Sequence, residues 1–249
     1  MVLKRRFYIE EFPKEANYLS IGGEEFDHLR VLRPKTGMLL EVVNGQGQLW
    51  QCEIQELHKT HADLKVLEKN VFPESIIRLT MAVALSREKT FEEILEPLSE
   101  IGVTHIQPFI SERSLHSWED HAKWYNRWQR LLIQSLKQSK RWYMMKICPV
   151  LSFGEFISTI SSHSLAVFGN TDGNSPSLYV HMTVLKNFGN QIMGIIGPEG
   201  GFTQYEIESL ILEGAQSVSL GENILRINTA GITMAAFLQA GLGEKNELG

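Results

Sequence analysis

The chain has 249 residues, with 24 Lys and Arg against 29 Asp and Glu, a formal net charge of −5 and 43% hydrophobic residues. This composition is typical of a folded globular protein and excludes the disordered, collagen-like and disulfide-scaffold classes. At roughly 100–200 residues per domain, the length allows one or two domains. The acidic balance argues at first sight against a polyanionic partner, because neutralising phosphates requires clustered Lys and Arg.

The cysteines and histidines show no pattern that predicts a metal site. Cys52 and Cys148 are the two cysteines, and neither lies in a CxxC pair. We therefore expect inert thiols and no metal. The N-terminus lacks an apolar signal segment, and no apolar run is long enough to span a bilayer, so a cytoplasmic location is expected.

Short alternating segments typical of strands fill the first part of the chain. One of them leads into Asn44 and Gly45, a strong hairpin signal, and another strand pattern follows. The predicted elements are strands at 38–43, 49–54 and 62–67 and a helix at 24–32. Short strands at this density predict a small β-barrel domain over residues 1–72.

From residue 73 to residue 249 the pattern changes to apolar strands that alternate with helices. Because the strands show little polar alternation, an α/β fold with a mostly parallel sheet covered on both faces is expected. Gly102 stands at the position of a helix C-cap. The predicted strands are 77–85, 104–110, 165–168, 193–196 and 217–220, and the predicted helices are 91–101, 121–140, 204–213 and 229–240.

A glycine-rich loop, residues 197–201, connects an apolar strand to a helix. Thr203 and Glu206 form a capping-box pattern that opens this helix. Such a loop exposes backbone groups at the carboxyl end of a strand, where α/β sheets bind ligands. The pattern is neither a P-loop nor a dinucleotide fingerprint. A structural turn and a ligand loop are equally compatible with it.

A second loop repeats this arrangement between Val218 and Ala230. The loop carries Gly221, and either Asn228 or Thr229 could cap the helix that follows. That helix begins with small residues, which permit close approach by a ligand or another helix. Arg226, at the junction, is either an ordinary surface arginine or a residue that positions an anion.

Residues 121–146 contain seven basic residues and no Asp or Glu, interleaved with aromatic residues. Basic groups that track phosphates and aromatic rings that stack on bases are typical of single-stranded RNA binding. A solvated basic helix face is the alternative, and the i,i+4 spacing of Trp124 and Trp128 favours burial of both rings.

Residues 190–249, by contrast, hold seven Glu and only Arg226 and Lys245 as cations. Since the charge is segregated, the net value of −5 does not exclude a nucleic-acid partner.

Taken together, the two loops resemble those of the RsmE family of SPOUT methyltransferases. The resemblance covers nearly the whole chain. The further matching motifs are Arg6-Phe7, His28-Leu29, Val31-Leu32-Arg33, Gly37, Leu85-Ser86-Arg87, Glu100-Ile101-Gly102-Val103, Ser111-Glu112-Arg113, and Gln138-Ser139 with Arg141.

The resemblance implies a PUA-like β-barrel over residues 1–72 that helps to hold RNA, and a SPOUT domain over residues 73–249. In this family the parallel sheet is tied into a trefoil knot, and the knotted domain forms a homodimer. The implied activity is methylation of N3 of a uridine in the 16S ribosomal RNA of the small subunit, with S-adenosyl-L-methionine as the cofactor. No metal or membrane is implied.

The resemblance also implies the site residues. A catalytic cation near the uracil oxygens would be Arg226 or Arg6 of the partner subunit. The cofactor-binding residues would be Ile196, Gly197, Gly201, Leu220, Gly221, Ile224, Leu225, Arg226, Thr229 and Ala230. The RNA-binding residues would be Arg6, Arg33, Lys123, Arg127, Lys137, Lys140 and Arg141.

This chain departs from the family pattern at several positions. The family has Glu where this chain has Asn228, Gln-Lys where it has Glu96-Pro97, and Gly where it has Lys140. A proline that follows Arg141 in the family is absent. Two alternatives therefore stay open: a SPOUT methyltransferase with a different RNA target, and a non-catalytic RNA-binding or ribosome-assembly protein that keeps the knot.

Overall fold

The computed structural model describes residues 2–13, 17–114, 121–171, 173–180 and 189–246. The chain divides into two compact units, which are described separately. The first contains Met1–Glu74 and Ile133–Met144, and the second contains Ser75–Leu132 and Met145–Gly249. Among the described helices, none is both long and apolar enough to cross a membrane.

The order of helices and strands follows the predicted change of pattern near residue 73. The first part of the chain contains β1 (Val2–Tyr8), β2 (Tyr18–Gly22), α1 (Gly23–Val31), β3 (Leu39–Val43), β4 (Gln48–Leu57) and β5 (His61–Val71). The rest contains β6 (Arg78–Ala84), α2 (Glu88–Ile101), β7 (His105–Ile110), α3 (His121–Ser139), β8 (Lys146–Ile147), β9 (Leu151–Ser152), α4 (Phe153–Ile157), β10 (Leu165–Gly169), β11 (Gln191–Ile196), α5 (Gln204–Leu212), β12 (Gln216–Val218) and α6 (Ile227–Asn246).

The first unit is built on a sheet of five strands among the described residues, in the order β1-β3-β4-β5-β2. The predicted pairing of β3 with β4 is confirmed and is antiparallel. The connection between them spans four residues rather than two, because the Asn44 side chain caps it: Asn44 Oδ1 accepts from the backbone N–H groups of Gln46 and Gln48, at 2.9 and 3.1 Å. The core of this unit includes Phe7, Leu29 and Ile54, all fully buried.

Residues 133–144, the end of α3 and the turn after it, pack on this first sheet. Leu136 belongs to a buried cluster with Val43 and Leu49. The Trp142 ring stacks on Phe72 with centroids 3.8 Å apart, and the Trp142 carbonyl accepts from the backbone N–H of residue 47 at 2.9 Å. A boundary near residue 72, as the sequence predicts, leaves this segment out of the N-terminal unit.

The second unit contains the predicted parallel sheet. Its strand order is β12-β10-β11-β6-β7-β8, with β9 also pairing with β7, and every pair among these described strands is parallel. One face packs against α4 and α5 through Phe156 and Leu210. On the other face α6 lies so close to β11 that a Cβ on Gly194 would be 2.8 Å from the sulfur atoms of Met81 and Met234. Both faces are therefore covered, as predicted.

The C-terminal helix α6 starts earlier and runs further than the predicted span of 229–240. The Arg226 carbonyl accepts from the Ala230 N–H at 2.8 Å, so Arg226 occupies the N-cap position. Asn228 therefore lies in the first turn rather than at the cap. Its side chain accepts from the Thr229 N–H at 2.9 Å and donates to Glu93 Oε2 at 3.4 Å.

Candidate active site

The carboxyl ends of five neighbouring parallel strands form one edge of the second sheet. These strands are β12, β10, β11, β6 and β7, and parallel strands end at the same edge of a sheet. The loops that follow β11 and β12 are the two glycine-bearing loops singled out in the sequence. Residues 111–114, after β7, and Gly169, the last residue of β10, also lie on this edge.

The loop after β11 is a tight turn anchored in the core. The Gly201 N–H donates to the Pro198 carbonyl at 2.9 Å, and Gly201 has φ +70°, which favours glycine. The Phe202 ring contacts the rings of Phe109 and Phe168, with centroids 6.4 and 6.2 Å apart. A Cβ on Gly197 would lie 2.8 Å from the Phe202 ring, so this close turn requires glycine there.

Glu206 joins this loop to the loop after β7. The predicted capping box is confirmed, with the Thr203 N–H donating to Glu206 Oε2 at 2.9 Å. The other carboxylate oxygen accepts from the Ser111 hydroxyl at 2.8 Å and from the Glu112 N–H at 2.9 Å. With a residue exposure of 1%, this is a buried charge held by three charge-assisted hydrogen bonds.

Arg113 makes a second link between the same two loops. Its guanidinium donates to the Gly200 carbonyl at 2.7 Å. Glu206 and Arg113 together fix the position of the glycine-rich loop over the sheet edge. Only the capping box could be predicted from the sequence. The residues that Glu206 and Arg113 contact across the two loops lie 87 to 95 residues away in the chain.

The two glycine-bearing loops converge around the end of β10. A Cβ on Gly169 would lie 3.8 Å from Leu220 and 3.9 Å from Ile196. A side chain at this position would fill the space between the loops, and glycine leaves that space open. Gly201 and Gly221, at φ +70° and +140°, border open space, since a Cβ on either would meet no atom within 4 Å. The sequence signal for Gly169 is a glycine that ends an apolar strand.

The predicted cofactor residues thus fall into two groups. Ile196 and Leu220 both lie close to Gly169, whereas Ile224 is exposed to 85%. The backbone of the exposed loop residues offers N–H and C=O groups, and the apolar side chains offer walls. The remaining predicted residues lie on the same two loops or in the first turn of α6, and they are Gly197, Gly201, Gly221, Leu225, Arg226, Thr229 and Ala230.

The two candidate catalytic arginines differ in environment. Arg226 is exposed at the N-terminus of α6, one turn from Ala230. Arg6 has a side chain only 7% exposed, which forms an ion pair with Glu41 at 2.8 Å and donates to the Arg141 carbonyl at 3.0 Å. These contacts give Arg6 a structural role within its own unit.

Several predicted RNA-binding residues also have partners within the protein. Lys137 is ion-paired with Glu25, and Arg127 with Glu92 at 2.7 Å, although the Arg127 side chain stays 60% exposed. Burial lowers the pKa of Arg141. Arg33 and Lys140 are exposed. The side chain of Lys123 lies outside the described part of the chain.

The aromatic residues of the basic segment are only partly available. Trp128 is 3% exposed and packs on Phe91, which confirms its predicted burial. Trp124 is half-buried. Tyr125 and Trp142 are each 41% exposed.

The thiols fit the prediction of inert cysteines, but the histidines do not fit the prediction of no cluster. Burial raises the pKa of Cys52 to about 12 and also raises that of Cys148. His58, His61 and Asp63, however, lie within metal-ligating distance of one another. Spacing along the sequence did not indicate this group, because a hairpin turn brings the histidines together.

Comparisons with known proteins find matches to both parts of the chain. Residues 73–239 match the family described as RNA methyltransferase domain, and residues 21–67 match the RNA methyltransferase PUA domain. A Synechocystis protein named ribosomal RNA small subunit methyltransferase E is 36% identical over 85% of this chain and 69% of its own length. Its namesake in Aquifex aeolicus is 28% identical over 93% of this chain and 97% of its own length.

A solved structure extends the likeness to the fold. The crystal structure of ribosomal RNA small subunit methyltransferase E from Neisseria gonorrhoeae, bound to S-adenosyl methionine, has a TM-score of 0.84 and 26% identity to this chain. It covers 95% of this chain and 97% of its own. A PUA domain together with an RNA methyltransferase domain on a parallel sheet identifies an RNA methyltransferase of the SPOUT type. The chain belongs to the ribosomal RNA small subunit methyltransferase E family.

Proposed function

We propose that this protein transfers a methyl group from S-adenosyl-L-methionine to N3 of a uridine in 16S ribosomal RNA of the small subunit. The convergence of the two glycine-bearing loops at one sheet edge carries this proposal. The names of the relatives support the RNA substrate, and the cofactor named for the Neisseria structure supports the methyl donor.

The residues at this edge suit S-adenosyl-L-methionine. The apolar side chains of Ile196 and Leu220 would help to hold its adenine, and backbone groups of the two loops would bind its polar groups. When bound, the cofactor supplies a methyl group on a cationic sulfur that is already a good leaving group. The loops fixed by Glu206 and Arg113 have mainly to hold that methyl group in line with the attacking nitrogen. The other residues proposed for this site are Gly197, Gly201, Gly221, Ile224, Leu225, Arg226, Thr229 and Ala230.

Arg226 is the residue we propose for stabilising the uracil anion. Uracil N3 must lose its proton to attack, and the negative charge then spreads over O2 and O4. A guanidinium at the N-terminus of α6 would place a cation, together with the positive end of the helix dipole, near this charge. Because the Arg6 side chain is held by Glu41 and by the Arg141 carbonyl, we assign it to stabilising the first unit.

A purified-component reaction tests the proposal. The reaction combines the protein, S-adenosyl-L-methionine with a labelled methyl group, and small subunits from a strain whose 16S RNA lacks N3-methyluridine. We expect one N3-methyluridine per 16S RNA by nucleoside mass spectrometry. Label in another nucleoside would indicate a different RNA target, and cofactor binding without methyl transfer would indicate a non-catalytic RNA-binding protein.

The role of Arg226 is tested in the same reaction. We expect Arg226→Ala to lower kcat by about 100-fold or more, as for loss of one donor to a developing anion. Arg226→Lys keeps the charge and should retain part of the rate. Equal activity of Arg226→Ala and wild type would contradict the role, and measured cofactor affinity separates binding from catalysis.

The RNA contacts, the domain roles and the assembly are part of the same proposal. The unit around residues 1–72 would hold RNA together with the basic segment, through Arg33, Lys123, Arg127, Lys137, Lys140 and Arg141. We propose the trefoil knot on the resemblance to the SPOUT family, with α6 returning from the edge strand β12 to pack against β11 and β6 in the middle of the sheet. A homodimer through this domain is supported by Tyr179 and Phe237, which are exposed to 63% and 37% and contact each other with ring centroids 6.4 Å apart. A ribosomal substrate supports a cytoplasmic location.

A further inference from the structure

The hairpin that connects β4 to β5 presents four potential metal ligands on one face. The backbone N–H of His58 donates to the backbone carbonyl of His61 at 2.9 Å across a two-residue turn, and Glu56 pairs with Asp63 two residues further along the strands. Since side chains alternate along a strand, residues 56, 58, 61 and 63 all project to the same side. The intervening pair, Leu57 and Ala62, packs toward the core.

The ligand atoms on this face converge on the Asp63 carboxylate. His58 Nε2 lies 3.0 Å from one carboxylate oxygen, and His61 Nε2 lies 3.8 Å from the other. The two imidazole rings stack with centroids 4.3 Å apart. One ligand atom from each of the three residues lies within 4.8 Å of the others. Glu56 Oε2, 3.9 Å from His58 Nε2, is close enough to serve as a fourth ligand.

We propose that this face of the hairpin binds one divalent transition-metal ion of the Zn²⁺ type. Imidazole nitrogens and carboxylate oxygens are ligands of zinc, and ligand atoms around tetrahedral zinc lie about 3.3 Å apart. The side chains are one-third exposed or more, so small rotations can bring the three atoms to this spacing. The metal takes the place of the direct contact between His58 and Asp63, and Glu56 or water completes the coordination.

This arrangement differs from an ordinary surface ion pair in its geometry. A single histidine would suffice to pair with Asp63, yet two imidazoles face the two oxygens of the same carboxylate. A bound dication satisfies both nitrogens and the carboxylate at once. Hard cations such as Mg²⁺ prefer oxygen ligands and would not select this site.

Calorimetric titration of the full chain, free of any histidine tag, tests the proposal with ZnCl₂ and, separately, with MgCl₂. We expect one Zn²⁺ per chain and no comparable Mg²⁺ binding. His58→Ala and His61→Ala should each weaken zinc binding at least tenfold. Lys59→Ala, at the turn between them, is the matched control and should bind as the wild type does.

Two further measurements keep the result unambiguous. The unfolding temperature without metal should be the same in the wild type and all variants, which shows that the hairpin still folds. Zinc should raise it in the wild type and in Lys59→Ala but not in the His58→Ala/His61→Ala double variant. Absence of stoichiometric binding to the wild type, or unchanged binding to the double variant, would overturn the proposal.

Discussion

Glu206 shows how one side chain can position an entire loop. A buried carboxylate is costly unless it is hydrogen-bonded, and Glu206 accepts from Ser111, Glu112 and Thr203. Two of these donors belong to the loop after β7, and the third is Thr203, at the end of the loop after β11. The carboxylate therefore holds two loops of the sheet edge in a fixed relation.

We expect Glu206→Gln to destabilise the protein by about 1–3 kcal/mol, because the amide leaves a buried donor facing a backbone N–H. The affinity for S-adenosyl-L-methionine should fall as well, since the glycine-rich loop loses its link to residues 111 and 112. Denaturant unfolding and calorimetry measure the two effects. Glu208→Gln, an exposed change on the same helix, is the control and should have little effect.

His163 affects how the stability of the protein depends on pH. Burial lowers its pKa from 6.5, and the nearby Arg78 charge acts in the same direction, although Nδ1 donates to the Thr159 carbonyl at 3.1 Å. The neutral imidazole is thus favoured in the folded state. Unfolding takes up a proton below the ordinary imidazole pKa, so the free energy of unfolding falls as the pH drops through 6.5.

We expect the wild type to lose more stability than His163→Gln between pH 7.5 and pH 5.5, values about one unit on either side of the ordinary imidazole pKa. Urea unfolding at the two pH values gives the difference, and NMR titration of the His163 ring protons reports its pKa directly. An equal loss in both proteins, or a His163 pKa at or above 6.5, would contradict the expected sign.

At the scale of elements, the end of helix α3 shows the energetic cost of one departure from the family pattern. Lys140 follows the last helical residue and has φ +60°, a left-handed conformation that favours glycine. In the family pattern that the sequence resembles, this position is glycine. The lysine therefore adopts a backbone conformation that costs a non-glycine residue about 1 kcal/mol or more.

We expect Lys140→Gly to stabilise the protein by about 1 kcal/mol, because glycine adopts this conformation without a Cβ clash. The same substitution two residues earlier gives the control. Gln138→Gly lies inside α3 and should destabilise by about 1 kcal/mol. In thermal or denaturant unfolding, the free energy of unfolding should rise in Lys140→Gly and fall in Gln138→Gly. A loss of stability in Lys140→Gly would contradict the proposed cost of the left-handed conformation.

The elements that the sequence predicts correctly are those with strong local patterns. The apolar runs predicted β6, β7, β10 and β11, and the capping box predicted the start of α5. The start of α6 was missed because Asn228 and Thr229 are both good caps, whereas Arg226 carries no capping side chain. The contacts of Arg113 with Gly200 and of Glu206 with Ser111 could not be predicted, because no local pattern links segments so far apart in sequence. The two site loops were recognised by family resemblance, and only the structure shows Gly169 between them.

At the scale of the whole molecule, the net charge of −5 conceals a segregated distribution. The acidic residues dominate the C-terminal third, whereas the segment 121–146 is basic. RNA binding through such a segment should release counterions and depend strongly on salt, despite the acidic total. Exposed cations of this segment, such as Lys140, should contribute most.

We expect the affinity for 16S RNA to fall steeply between low and moderate KCl. Removing one phosphate contact with Lys140→Gln should reduce the slope of log affinity against log salt by about 0.7. Fluorescence anisotropy at several KCl concentrations measures this slope. Lys89→Gln is the control, because Lys89 is paired with Glu93 and lies outside the unit and the segment proposed to hold RNA. An unchanged slope in Lys140→Gln would remove this residue from the RNA contacts.

The discontinuous first unit also bears on the order in which the chain acquires structure during translation. Its N-terminal strands are complete at Val71, yet Leu136 and Trp142, which cover Val43 and Phe72, are synthesised only after the first strands of the second unit. A nascent chain of 74 residues would therefore expose an apolar surface that its own later residues must cover. The N-terminal unit can reach its final stability only after the ribosome has passed residue 144, so the maturation of one unit depends on synthesis of part of the other.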